Sequence, residues 1–112
     1  MLIRHIWDLP NEEKTQEKIL FDVGETETIA LGRVTVEPGG TTQEGFHPDE
    51  EEVYVILKGR ARLMVGDDIQ VVGPGDTVYV PRNHRHRMAC ISEENLEYLY
   101  FANWPKEIPP VT

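Results

Sequence analysis

A chain of 112 residues and 12.8 kDa with 39% apolar residues is sized for one hydrophobic core and too short for two. Its 20 Asp and Glu against 11 Lys and Arg give a net charge of -9, which repels phosphate backbones and anionic lipid and argues against nucleic acid and membrane as partners. No window reaches the roughly 18 apolar residues of a spanning helix, and the lone Cys90 excludes an internal disulfide, so a reducing cytoplasm is the expected setting.

The start carries no basic end followed by an apolar core and a cleavage site, so no secretory signal is expected. Residues 1–16 pair a short apolar piece (Leu2, Ile3, Ile6, Trp7, Leu9) with a polar segment, an edge strand followed by a loop. A second short strand is predicted over 18–23, closed by Gly24. From Thr28 the pattern is steadily β: branched residues alternate with polar ones over 29–37, and Pro38-Gly39-Gly40 ends the run. A strong strand over 53–58 leads into Gly59, read as the left-handed residue of a tight turn, and 60–65 is predicted to return as its hairpin partner. Strands over 69–72, 77–80, 84–91 and 96–103 follow, separated by Gly, Pro, Asn and Asp. Short strands at even spacing predict a small all-β barrel or sandwich spanning about 28–103, with 1–27 as an N-terminal strand or arm and 104–112 as an extended tail.

Because strand residues two apart share a face, Gln43, Gly45 and His47 point together before the turn. Glu52, Tyr54 and Ile56 form the matching set after it, and His84, His86, Met88 and Cys90 share a side later on. If these faces line the interior, His47, Glu52 and His86 reach one divalent ion, and two imidazoles with one carboxylate suit iron, manganese, zinc, nickel or cobalt. Gln43 is a substitute ligand of the right parity, whereas Glu44 needs a bulge to turn inward. Tyr54 is barrel lining or a hydrogen-bond donor to substrate. His84, at a turn where alternation breaks down, is a pocket-rim or solvent residue whose imidazole could shuttle protons, Cys90 a core thiol, and Asp49-Glu50-Glu51 a solvated loop.

The residues that carry these expectations resemble the cupin family. Its first motif, G-x5-H-x-H-x3,4-E-x6-G, falls on Gly39, Gly45, His47, Glu52 and Gly59; its second, G-x5-P-x-G-x2-H-x3-N, falls on Gly75, Pro81, Asn83, His86 and Cys90. The first motif's first His is therefore Gly45, the second motif's Gly is Asn83, and its final Asn is Cys90. The resemblance implies one cupin domain over 1–112, a jelly-roll-like double-stranded β-helix. It also implies a divalent metal on His47, Glu52 and His86, a small-molecule ligand or substrate, and a homodimer. Two functions follow: isomerase-, epimerase- or dioxygenase-like chemistry on a small oxygen-rich metabolite, or a binding or sensor barrel without catalysis. Gly45 is the feature that favours the second.

Overall fold

The computed structural model describes residues 1–7 and 17–104, and the polar segment 10–16 and the tail beyond Trp104 lie outside them. Eight strands run in chain order among the described residues: β1 (Glu17–Phe21), β2 (Ile29–Val36), β3 (Glu51–Lys58), β4 (Ala61–Val65), β5 (Asp68–Val72), β6 (Thr77–Val80), β7 (His86–Cys90) and β8 (Leu96–Asn103). They form a five-stranded sheet, β1-β2-β8-β3-β6, and a three-stranded sheet, β5-β4-β7, with every strand pair antiparallel. The architecture is all-β, as the strand spacing predicts, and is the jelly-roll-like barrel that the family resemblance implies.

Alternation decides which side chains enter the space between the sheets. In β2, Ala30, Val34 and Val36 are buried; in β3, Glu52, Tyr54 and Ile56; in β7, His86, Met88 and Cys90. Of these, Val34, Val36, Tyr54, Ile56, Met88 and Cys90 join Leu63, Val80, Leu96 and Tyr98 in one cluster, in which Val36 and Leu96 are fully buried.

Three local expectations change. Only Gly59 and Arg60 separate the end of β3 from the start of β4, yet β3 pairs with β8 and β6 while β4 pairs with β5 and β7. The glycine turn therefore carries the chain from one sheet to the other instead of closing a hairpin, because both neighbours of β3 are already in place. Residues 39–45 form no regular strand. They lie antiparallel beside β7 through the bridges Thr41↔Ala89 and Gly45↔His86, with Thr42 N–H donating to Met88 O at 2.9 Å and Cys90 N–H to Gly40 O at 2.9 Å. Residues 1–7 also form no strand, and β1 takes the sheet edge. Side-chain contacts tie this arm down: Arg4 pairs with Glu25 at 2.6 Å and stacks over Phe21, and the Trp7 ring lies under Arg33 and Lys58.

Candidate metal centre

Glu52 and His86 project inward from β3 and β7, whereas His47 lies in the connection between Gly45 and β3, outside any strand. Backbone bonds fix that connection. Gly45 exchanges two hydrogen bonds with His86, at 2.9 and 3.0 Å, and Asn83 N–H donates to His47 O at 2.9 Å. Asn83 holds the left-handed conformation, φ 65°, in place of the expected glycine. The two halves of the site, far apart in sequence, are thus joined through main chain before any side chain is considered.

His47 Nε2 lies 3.7 Å from Glu52 Oε1, and His86 Nε2 lies 3.9 Å from Glu52 Oε2. Each carboxylate oxygen faces one imidazole, and one donor atom from each residue falls within 4.8 Å of the others. Two donors of one ion can be at most about 4.2 Å apart, twice a typical bond to nitrogen or oxygen. The carboxylate–imidazole pairs meet that limit, and the set as a whole, spanning up to 4.8 Å, needs only a small closing movement of the partly exposed His47 ring. The donor set fits a divalent ion.

The other nitrogen of each ring is tied. His86 Nδ1 is 3.2 Å from His84 O, so its N–H donates to that carbonyl and the Nε2 lone pair faces Glu52. His47 Nδ1 is 3.0 Å from Glu50 Oε1. With Nδ1–H donating to this carboxylate, Nε2 is again the free nitrogen, the arrangement that orients imidazole ligands in metal sites.

Glu50 is therefore not part of a solvated loop. It is buried, 8% exposed, while Glu51 turns outward to Tyr79 and Arg82. Strand parity held the signal, since Glu50 stands two residues before Glu52. Burial, then the charges of Glu52 and Asp49, push the Glu50 carboxyl up to about 7. Its folded state holds a proton that the unfolded chain has already released, so it contributes stability at low pH that is lost as pH rises from about 4.5 towards 7. In chelator-treated protein this slope should amount to about 1–3 kcal/mol and be absent from Glu50→Gln, by urea titration at pH 5 and pH 7.5. Equal slopes in both proteins would contradict it.

Gly45 does more than omit a ligand. A β-carbon there would lie 2.5 Å from His86 Nε2, so the His86 ring occupies the space into which a side chain at 45 would grow. Gln43 and Glu44 both line the cavity, because the bridged segment does not follow strand parity. Tyr54 lines it too, with its ring edge-on to His86 at 6.2 Å and to Tyr98 at 5.2 Å. His84 does not join them. It precedes β7, is exposed, and lines a separate cavity of about 630 Å³ beside Val65 and Val78; its carbonyl, not its ring, reaches the site. Cys90 is a buried free thiol packed in the core.

Comparison with known proteins agrees with this fold. Residues 32–101 match the family described as Cupin domain. The chain is 33% identical over 92 residues to the 1-methylthio-D-xylulose 5-phosphate methylsulfurylase of Rhodospirillum rubrum, covering 82% of this chain and 58% of that protein. Among solved structures, the polyketide cyclase RemF of Streptomyces resistomycificus superposes with a TM-score of 0.76 at 27% identity, covering 98% of this chain and 82% of that one. A predicted oxalate decarboxylase of Thermotoga maritima gives 0.73 at 19% identity, covering 80% of this chain and 79% of that one. The curated relatives are longer: the chain spans 62% of an uncharacterised Streptomyces coelicolor protein and 17% of the Escherichia coli mannose-1-phosphate guanylyltransferase. Since the matched span runs from β2 into β8 and takes in His47, Glu52 and His86, the chain belongs to the cupin domain family.

Proposed function

We propose that this cupin holds a divalent ion on His47, Glu52 and His86 and acts on a small oxygen-rich metabolite in the adjoining cavity. The observation that carries the reading is the pair of imidazoles with Nδ1 engaged and Nε2 turned to one carboxylate. A bound ion supplies Lewis-acid polarisation of a substrate oxygen. The protein's own part is positional: Glu50 and the His84 carbonyl hold the rings, and Tyr54 presents a hydroxyl beside Glu52. Burial, then the Glu52 charge, raises the Tyr54 phenol, so it stays a neutral donor. Isomerase-, epimerase- or dioxygenase-like chemistry fits such a site, and the likeness to a polyketide cyclase adds cyclisation to the candidates. Metal content after purification without a nickel column tests the reading. Near-stoichiometric iron, manganese or zinc, absent from a His47→Ala, His86→Ala double variant, supports it. Apo protein that gains no thermal stability from any divalent ion leaves the second reading, a binding barrel without catalysis.

The proposal includes a homodimer in a reducing cytoplasm, the compartment that suits the free Cys90. Residues 1–7 offer no strand to exchange, so the support for self-association moves to the outer face of the five-stranded sheet. There Leu31, Phe101, Val53 and Tyr79 are successive cross-strand partners, the last three exposed. Sedimentation at micromolar concentration should give twice the 12.8 kDa chain mass, and Phe101→Glu should halve it. A monomeric wild type would contradict the dimer.

A further inference from the structure

The cavity beside His47, Glu52 and His86 encloses about 370 Å³, the lower end of the range for small-molecule sites. Beyond those three residues its polar lining includes Glu17, Gln43, Glu44, Tyr54, Tyr98 and Tyr100, and no Lys or Arg among the described residues. The three phenols in this lining can donate and accept hydrogen bonds but cannot balance a ligand's charge as a guanidinium would.

Charge at the site follows from these residues. Glu17 and Glu44 are exposed at the cavity, and together with Glu52 they outweigh even a bound divalent ion. An anion entering meets repulsion from these carboxylates with no Lys or Arg in the lining to pair with. A neutral ring meets aromatic edges at Tyr54 and Tyr98, set T-shaped at 5.2 Å, and hydroxyl partners around them.

We infer that the cavity selects a neutral hydroxylated ring, a phenol or enol, and rejects small dicarboxylates. This rests on the cavity being the ligand site of the proposed function, but the selection itself does not require the ion, since removing the ion only strengthens the repulsion.

Calorimetric titration with catechol and with oxalate, on metal-loaded and chelator-treated protein, tests it. In both states catechol should bind at least about 10-fold more tightly than oxalate. A Glu17→Lys, Glu44→Lys double variant should tighten oxalate by about 10-fold and leave catechol within a few-fold. Circular dichroism of the variant checks that it is folded, and Glu44→Lys alone, off the strands, should give part of the gain. Oxalate binding as tight as catechol, or no response to charge reversal in either folded variant, would overturn the ligand assignment while leaving the metal reading standing. Failure to take up metal with the catechol preference intact would do the reverse.

Discussion

Replacing Gly59 with alanine should destabilise the protein by about 2–5 kcal/mol. Gly59 holds φ +75°, and a β-carbon there would lie 2.6 Å from Asn95 O and 2.8 Å from Leu96 Cα. Both are backbone atoms at the start of β8, where Leu96 is fully buried, so neither can swing aside. Left-handed geometry costs a residue with a β-carbon about 1–2 kcal/mol, and overpacking adds about 1–3 kcal/mol. A control separates the two: Gly75 has φ +90° with nothing within 4 Å of a β-carbon, so Gly75→Ala carries only the backbone cost. Urea denaturation should rank Gly59→Ala clearly below Gly75→Ala, with a melting point lower by about 4 °C or more per kcal/mol lost. Equal losses would mean that the crossing between the sheets is not tightly packed.

This position also shows how far the sequence could be read. Gly59 was legible as a left-handed turn, because a glycine after a strong strand has that use, and the positive φ agrees. That the turn joins two sheets was not legible, since a hairpin and a sheet crossing place the same residues at the same spacing. The inward set Glu52, Tyr54, Ile56 and the set His86, Met88, Cys90 followed from alternation alone. Parity failed where regular strand pairing fails, at 41–47 and at His84, so Gln43 and Glu44 both reach the cavity and His84 does not. Glu50 lay within reach of the same parity argument but was hidden in an acidic run that reads as solvent-facing. The lodging of His86 over Gly45 depends on distances between elements, which no local pattern contains.

The other large effect is on the metal. Glu52→Gln keeps the shape of the side chain that faces both imidazoles but removes its charge, and His86→Ala removes the ring whose Nδ1 is held by the His84 carbonyl. Loss of an outer partner of a ligand costs about 10–100-fold in affinity, so loss of a ligand itself should cost at least about 100-fold. Zinc or manganese titration of each variant should show this, with circular dichroism unchanged for Glu52→Gln, whose volume is conserved. Glu52 is buried with no Lys or Arg paired to it among the described residues, only the two imidazoles facing its oxygens. Glu52→Gln should therefore leave the metal-free protein as stable as the wild type or more so. A Glu52→Gln variant that binds metal as the wild type does would remove the carboxylate from the ligand set.

The central claim is that two imidazoles and one carboxylate from separate parts of the chain share a single ion. Anomalous scattering recorded at the metal's absorption edge, from crystals grown without chelator and soaked in zinc or manganese, tests it most directly. The account predicts one dominant peak about 2.0–2.2 Å from His47 Nε2, a Glu52 oxygen and His86 Nε2 together. A peak elsewhere on the protein, or none between these three side chains, would contradict it.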